Sequence, residues 1–394
     1  MTPAARLQAA IELLDAIIAA ARDDGAPADR IVRDYFRSRR YAGSKDRRAV
    51  GELVYGAIRH FGDRPMSGRA AMVALADKDD ALLALFDGAD FGPSPVTDNE
   101  PRATGGAVPL WLEPLLAQPE GGLDRIALLE RAPLDIRANA LKTSRDAVRA
   151  LFPEARVLEA SPMALRLPAG TPVEQHSAYA DGLFEVQDLG SQIIADACDA
   201  RGGMTVLDLC AGAGGKTLAL ASAMGGAGKL IAADTSRKRL DQLPGRAQRA
   251  GASGIDVRLL DPNRENATLF DLAAKCDVVL VDAPCSGSGT WRRNPETRWR
   301  LTSERLQRTL AQQARLLDLA ADYVAPGGRL VYAVCSLIEQ EGRDQVSSFL
   351  ARQGSFGSLV QKGAPGRIHG DGRLLTPCHD GCDGFYVATL VKSG

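Results

Sequence analysis

The feature that most constrains the fold is a buried strand that ends in a polar loop. Four apolar residues, Val278–Val281, stand in succession and predict a strand buried on both faces. The strand stops at Asp282, and Pro284 cannot continue a ladder because proline has no N–H. Cys285 follows directly. Because open α/β sheets bind ligands at the carboxyl ends of their strands, this carboxylate and thiol mark a candidate site.

Strands and helices alternate regularly from Asp188 to the end of the chain. The predicted strands are 205–209, 229–233, 255–260, 277–282, 329–334 and 384–391. The predicted helices are 188–199, 216–224, 236–250, 303–324 and 338–352. This alternation predicts an α/β fold with a doubly wound sheet.

A second predicted strand also ends in a thiol. The strand 329–334 runs into Cys335, as the strand before it runs into Asp282 and Cys285. For one isolated cysteine, burial as a small hydrophobe is the common explanation. Two cysteines that each end a strand, beside a carboxylate and a glycine loop, favour catalysis instead.

A glycine-rich turn joins the predicted strand 205–209 to the next helix. The turn consists of Cys210, Ala211, Gly212, Ala213, Gly214, Gly215 and Lys216. Such a turn brings backbone N–H groups to a ligand, but it lacks the Walker spacing of nucleoside triphosphate sites. Asp234 and Asp261 end the next two strands, where they can hold ribose hydroxyls and an adenine amino group. The loops fit S-adenosylmethionine as well as NAD, and the thiols favour S-adenosylmethionine because hydride transfer needs no thiol pair.

The two thiols suit methylation of a cytosine ring. Carbon 5 of cytosine becomes nucleophilic when a thiolate adds to carbon 6. An acid must then protonate or hydrogen-bond N3, and Asp282 is the nearest candidate. A base must finally remove the carbon 5 proton so that the thiolate can leave. The basic residues 237–239, at a predicted helix start, are typical of a solvated surface, and the alternative is that Arg239 reaches the cofactor ribose.

The N-terminal part has a different pattern. Residues 1–86 predict a helical domain, 87–109 a linker rich in Gly and Pro, 110–187 a small α+β module, and 188–394 the catalytic domain. Residues 33–48 carry seven basic residues against two acidic ones, interleaved with aromatics. This pattern suits an RNA phosphate backbone, but a solvated helix face explains it equally well. The aromatic and basic run 291–300, directly after the cysteine loop, predicts a further RNA contact.

The composition sets limits on partners and location. Lys plus Arg is 48 and Asp plus Glu is 49, so a nucleic acid must be met by local patches. With no run of eighteen apolar residues and no signal-peptide pattern at the start, we expect no membrane span and a cytoplasmic protein. The odd cysteine count predicts reduced thiols. The sequence C-H-x-x-C at 378–382 lacks a second ligand pair, so no metal is expected.

Several of these motifs resemble one family. The segments D-A-P-C-S-G-S-G-T, V-C-S with a following acidic helix, and D-G-F-Y are similar to those of the Nol–Nop–Sun RNA cytosine-5 methyltransferases, in the branch of bacterial 16S rRNA methyltransferase B. The resemblance implies a class I S-adenosylmethionine-dependent methyltransferase sheet, with a NusB-like helical domain before it. It also implies that Cys335 is the nucleophile, that Cys285 assists product release, and that Cys210–Lys216, Asp234, Asp261 and Asp282 hold the cofactor. Ala213 stands where the family has proline, which predicts a slightly looser loop.

The resemblance predicts methylation of RNA, most readily ribosomal RNA, by a monomer. One alternative is a DNA cytosine-5 methyltransferase, in which the Pro-Cys thiol, Cys285, is the nucleophile. The thiol that follows the fifth strand, Cys335, argues against that arrangement. The other alternative is a non-catalytic RNA-binding assembly factor that has kept the fold. The intact Asp282 and both cysteines argue against that interpretation.

Overall fold

The computed structural model describes residues 1–394, whose contacts form two compact units. The helical unit comprises Met1–Leu116, Asp124–Glu130 and Thr290–Ser303, and the sheet unit comprises Ala117–Leu123, Arg131–Gly289 and Glu304–Gly394. The chain therefore passes between the units several times. The four-part division of the sequence remains a prediction.

The helical unit contains five α-helices. They are α1 (Pro3–Arg22), α2 (Ala28–Ser38), α3 (Ser44–His60), α4 (Gly68–Ala76) and α5 (Asp80–Leu83). The Thr2 hydroxyl caps α1 by accepting from the Ala5 amide at 3.2 Å. Leu7 and Leu14 on α1 and Val54 on α3 are fully buried in the core. The predicted helical character of this part is confirmed.

The segment Thr290–Ser303 is buried within the helical unit. Trp299 belongs to the core of the unit, and its indole N–H donates to the Phe61 carbonyl at 2.9 Å. Arg298 is 1% exposed and donates to main-chain carbonyls at the C-terminal end of α3, which include that of Ile58. A cation is favourable there because the carbonyls at a helix C-terminus have no partners within the helix. The predicted RNA contact by these two residues is therefore wrong.

A small antiparallel sheet opens the sheet unit. Its strands are β1 (Leu134–Ala138), β2 (Arg156–Val157), β3 (Ala164–Leu167) and β4 (Phe184–Val186), in the order β2-β3-β1-β4. Helices α6 (Arg145–Leu151) and α7 (Ser177–Ala180) accompany them. Ile136 of β1, Val148 of α6 and Phe184 of β4 share one buried cluster. This cluster attaches the helices to the sheet.

A nine-stranded sheet forms the body of the sheet unit. Its strands are β5 (Thr205–Asp208), β6 (Lys229–Asp234), β7 (Ile255–Leu259), β8 (Cys276–Asp282), β9 (Val324–Val334), β10 (Phe356–Ser358), β11 (Arg367–His369), β12 (Gly372–Leu375) and β13 (Phe385–Lys392). The order is β11-β12-β13-β9-β8-β5-β6-β7, and β10 pairs with β13. Strands β5 to β9 run parallel, and β13 is antiparallel to β9. The predicted fold class is confirmed, although β10, β11 and β12 were not predicted.

Helices flank this sheet. They are α8 (Leu189–Ala197), α9 (Gly215–Ala223), α10 (Arg237–Leu240), α11 (Leu243–Ala250), α12 (Asn266–Leu269), α13 (Ser303–Tyr323), α14 (Arg343–Arg352) and α15 (Pro377–Asp380). The helix predicted at 236–250 is two helices, because Pro244 has no N–H to continue the ladder and instead sits in the first turn of α11. The helix predicted at 338–352 begins only at Arg343, after a 3-10 turn at Glu339–Glu341. No helix is both long and apolar enough to cross a membrane.

The strand order places a crevice beside β5. This strand pairs with β6 on one side and β8 on the other, so the chain leaves β5 in one direction and returns on its other side. Such a point of reversal leaves a crevice at the carboxyl ends of the strands, where ligands bind in open α/β sheets. The glycine-rich turn and the Asp282–Cys285 loop both begin at this edge.

Candidate active site

The glycine-rich turn between β5 and α9 is held in place from two sides. Gly212 and Gly214 have φ values of 56° and 84°, a left-handed region that favours glycine. A Cβ added to Gly214 would lie 2.2 Å from Leu243 Cδ1, so a side chain does not fit there. The carbonyl of Ala213 accepts from Arg246 Nη1 at 2.8 Å. This bond fixes the turn at the position that lacks the family proline.

Asp234 joins the end of β6 to the turn. Its buried carboxylate accepts from the backbone amides of Gly212 at 2.8 Å and Ser236 at 2.6 Å. Arg239 Nη2 donates to both oxygens at 3.2 Å. Asp261 behaves differently, because 64% of its side chain is exposed and its ion pair with Arg264 spans 3.8 Å. Of the two predicted ribose and adenine carboxylates, the structure thus connects only Asp234 to the turn.

Asp208 is a buried carboxyl group that the predicted site did not include. It ends β5, and its Oδ2 accepts from the Thr217 hydroxyl at 2.7 Å. Burial raises the pKa of Asp208 to about 7, although the Thr217 hydrogen bond opposes the rise. The other oxygen, Oδ1, is buried without a hydrogen-bond partner. The sequence signal for Asp208 was its position directly before the Leu-Cys-Ala-Gly turn. Its free Oδ1 can accept a hydrogen bond from a bound ligand.

Lys216 and Asp282 form an ion pair across the crevice. Nζ of Lys216, at the start of α9, lies 2.7 Å from Oδ2 of Asp282, at the end of β8. Burial lowers the pKa of Lys216, but the charges of Asp282 and Cys335 outweigh burial, so the pKa is raised overall. The same ammonium lies 5.8 Å from the centre of the Phe385 ring. A lysine is thereby held as a cation beside the loop that carries Cys285.

The two strand-end thiols are in contact. Sγ of Cys285 lies 3.3 Å from Sγ of Cys335, and both cysteines are free. This separation is a hydrogen-bond distance, since a disulfide bond measures about 2.05 Å. The hydrogen bond to Cys335 and burial raise the pKa of Cys285 well above its usual range, and the charges of Cys335 and Glu341 raise it further. The predicted juxtaposition of the two thiols with Asp282 at one sheet edge is present in the structure.

A buried carboxylate joins the two cysteine loops and was missed in the sequence. Oε1 of Glu341 accepts from the Ser286 amide at 2.8 Å and from Gln313 Nε2 at 3.1 Å. Oε2 accepts from the hydroxyls of Ser286 and Ser336. Each of these serines directly follows one of the cysteines. The available signal was the acidic run after Cys335, in which no spacing singles out one glutamate.

Three polar side chains of the small module are engaged within the protein. Arg137 is buried and donates to Gln187 at 2.6 Å, and burial lowers its pKa to about 10. The Asn139 amide donates to two main-chain carbonyls at 2.8 and 2.7 Å. Lys142 Nζ also donates to two carbonyls, at 2.7 and 2.6 Å. Asn139 and Lys142 therefore stabilise the fold through these main-chain contacts.

Five of the seven basic residues at 33–48 fall into two groups. Arg33, Arg37 and Arg39 pair with carboxylates at 3.1, 3.2 and 3.6 Å. Arg39 also lies 3.7 Å from the centre of an aromatic ring, that of Tyr35. Arg40 and Arg48 are exposed. Arg40 and Arg48 can reach a phosphate without breaking an ion pair. The predicted RNA contact of this domain is therefore best tested by replacing these two arginines.

The fold and the site together define a Rossmann-like methyltransferase with two thiols in contact at one edge of its sheet. The chain belongs to the 16S rRNA methyltransferase RsmB/F family, whose model matches residues 195–391. A probable ribosomal RNA small subunit methyltransferase B from Synechocystis sp. is 31% identical over 299 residues, which are 72% of this chain and 67% of the relative. In two further relatives of that name, the match spans 61% and 60% of the relative.

Solved structures agree with this fold. A protein named PH0851 has a TM-score of 0.76 and 21% identity, with 100% of both chains covered. NSun6 from Pyrococcus horikoshii, solved with SFG, has a TM-score of 0.61 and 19% identity, covering 68% of this chain and 93% of that one. At these identities the likeness concerns the fold. The roles of individual residues follow from the geometry of the site.

Proposed function

We propose that this chain transfers a methyl group to carbon 5 of a cytosine in RNA, and that the substrate is 16S ribosomal RNA. The cofactor is S-adenosylmethionine. The observation that carries the proposal is the Cys285–Cys335 contact of 3.3 Å, beside a carboxylate–ammonium pair and a glycine turn. The names of the relatives support ribosomal RNA as the substrate.

The residues around the turn fit the cofactor. Cys210–Lys216 would enclose the methionine part, and Asp234 would accept from the ribose hydroxyls while Arg239 stays on its carboxylate. The free Oδ1 of Asp208 is a further acceptor near the end of β5 for a cationic or N–H-bearing group. Asp261 is exposed, which leaves it open to an adenine amino group. When bound, S-adenosylmethionine supplies an electrophilic methyl group on a sulfonium.

Cys335 is the nucleophile in this proposal. In this proposal the Cys285 thiol is the donor in the 3.3 Å contact and Sγ of Cys335 is the acceptor. Sγ of Cys335 forms a bond to carbon 6, and the electron pair of the carbon 5–carbon 6 double bond moves to carbon 5 and into the ring. Cys285 keeps its proton meanwhile, because its pKa is raised.

The Asp282–Lys216 pair recognises the cytosine edge in the same step. The carboxylate of Asp282 accepts from the exocyclic amino group, and the ammonium of Lys216 donates to N3 as negative charge develops there. The sequence assigned the N3 contact to Asp282 alone. Because Asp282 forms an ion pair with Lys216 at 2.7 Å, its carboxylate accepts hydrogen bonds. The hydrogen bond to N3 is therefore donated by Lys216.

Cys285 completes the reaction by proton removal. Once Sγ of Cys335 is bonded to carbon, its negative charge no longer opposes ionisation of Cys285, which then loses its proton to solvent. The Cys285 thiolate accepts the carbon 5 proton, the carbon 5–carbon 6 double bond re-forms, and the bond from carbon 6 to Cys335 breaks. The DNA-enzyme alternative reverses these roles. The raised pKa of Cys285 disfavours that alternative.

Bisulfite sequencing of 16S rRNA tests the whole proposal. We expect one cytosine that resists conversion in the parent strain and converts in a deletion strain. Wild-type protein should restore resistance, whereas the Cys335→Ala variant should not. If no cytosine differs between parent and deletion strain, the chain is not an RNA cytosine-5 methyltransferase, and the non-catalytic assembly role gains support.

A further inference from the structure

The charge environment of the two thiols is asymmetric. Lys216 and Cys335 attract each other, and this attraction contributes to the raised pKa of Lys216, against burial that lowers it. The negative charge of Glu341 acts on Cys285 and adds to its raised pKa, after the larger effects of the Cys335 hydrogen bond and burial. The negative charge of Glu341 thus opposes ionisation of Cys285.

The groups that donate hydrogen bonds to Glu341 are all neutral. The carboxylate is completely buried and receives hydrogen bonds from the Ser286 amide and hydroxyl, the Ser336 hydroxyl and the Gln313 side-chain amide. None of these groups is a cation. Its own main-chain carbonyl accepts from the Tyr332 hydroxyl at 2.7 Å, which ties the turn to β9. A buried charge without a counterion is costly unless it is fully hydrogen-bonded, and this one is.

The same contacts hold the two cysteine loops against each other. The Ser336 hydroxyl lies 2.9 Å from the Ser288 hydroxyl and accepts from the Ile338 amide at 3.0 Å. The Gly289 amide donates to the Cys335 carbonyl at 3.1 Å. Hydrogen bonds therefore connect the residue after each thiol to the opposite loop, with the carboxylate at the centre.

We propose that Glu341 is a positioning residue for the thiol pair. Its carboxylate clamps the Cys285 loop to the Cys335 loop, and its charge retains the proton on Cys285. This inference rests on the proposed function for its catalytic meaning. In that reaction the same charge also makes the Cys285 thiolate a stronger base when the carbon 5 proton is removed.

The test is site-resolved alkylation of Glu341→Gln in the full chain, without RNA or cofactor. Glutamine has the same shape but no charge. Each thiolate displaces iodide from iodoacetamide, and limited labelling ensures that a molecule reacts at most once. In the wild type we expect Cys335 to react faster at pH 7.5. In Glu341→Gln, we expect the alkylation rate of Cys285, divided by that of Cys335, to rise by about tenfold. The pH at which the labelling of Cys285 is half-maximal should fall by roughly one pH unit.

The matched control is Glu339→Gln in the same turn. The Glu339 carboxylate pairs with His369 at 2.8 Å and has no contact with the cysteine loops. Its loss should leave the labelling ratio at the wild-type value. An unchanged ratio in Glu341→Gln, or an equal rise in both variants, overturns the proposal.

A second variant covers the case in which Glu341→Gln does not fold. Ser336→Ala keeps the charge but removes one hydroxyl from the clamp. Diamide oxidises the two thiols to a disulfide and takes up both hydrogens. We expect this reaction to be at least about threefold slower in Ser336→Ala, because close sulfur approach requires the clamped loops. An unchanged rate refutes the clamp. Neither readout needs methyl transfer, so a negative bisulfite result and a negative labelling result remain distinguishable.

Discussion

Replacement of Asp234 by alanine tests the cofactor site most directly. The carboxylate is 3% exposed and accepts from two backbone amides, one of which belongs to the glycine-rich turn. Alanine removes the acceptor for the ribose hydroxyls and releases the Gly212 amide at the same time. The change therefore affects both a ligand contact and the shape of the turn.

The expected loss of affinity follows from the number and kind of bonds. One hydrogen bond to a charged acceptor contributes about 1.5–3 kcal/mol, which corresponds to roughly 12- to 140-fold weaker binding. Asp234→Asn keeps one carbonyl oxygen for the Gly212 amide but loses the charge that attracts Arg239. Its affinity should lie between those of the wild type and the alanine variant.

Calorimetric titration of S-adenosylmethionine into each purified variant measures these effects, and a thermal melt shows whether the variant is folded. Asp256→Ala is the matched control, because this carboxylate pairs with Arg258 at 2.7 Å and does not contact the turn. We expect wild-type affinity in the control. An unchanged dissociation constant in folded Asp234→Ala would refute the placement of the ribose at the end of β6.

Three further predictions concern other parts of the molecule. Cys285→Ala should accumulate a covalent protein–RNA adduct on denaturing gels and Cys335→Ala should form none; a slow-migrating band with Cys335→Ala would reverse the assigned roles. Joint replacement of Arg40 and Arg48 by alanine should reduce the salt slope of RNA binding by about 1.4 if both contact phosphates of a single strand, and an equal slope removes them from the interface. Arg298→Met should lower the free energy of unfolding by roughly 2–4 kcal/mol, because several buried carbonyls lose their donor; a melting temperature equal to that of the wild type contradicts this.

The parallel sheet could be predicted because its signal is local. Each parallel strand is a short apolar run followed by a polar turn, and β5 to β8 lie within a few residues of their predicted bounds. The thiol pair could be predicted for the same reason. Cys285 and Cys335 each end a strand, and parallel strands of one sheet end at one edge.

The rest depended on contacts between residues far apart in the sequence. Arg298 and Trp299 look like an exposed basic and aromatic run, yet they donate to the carbonyls of Ile58 and Phe61, more than 200 residues away. Glu341 is one of several acidic residues, and only the folded loops bring both serine hydroxyls to it. The short strands β10, β11 and β12 have three or four residues each, too few to show a period.

The burial of Thr290–Ser303 in the helical unit has a consequence for the order in which the protein folds during synthesis. The ribosome makes the first 116 residues long before Trp299, so the early chain lacks an indole that belongs to its core. It also lacks Arg298, and the carbonyls at the end of α3 have no donor from that side chain at this stage. Nascent domains commonly fold in order from the N-terminus. Here the first unit to be made is completed only after β8 and Cys285 have been translated.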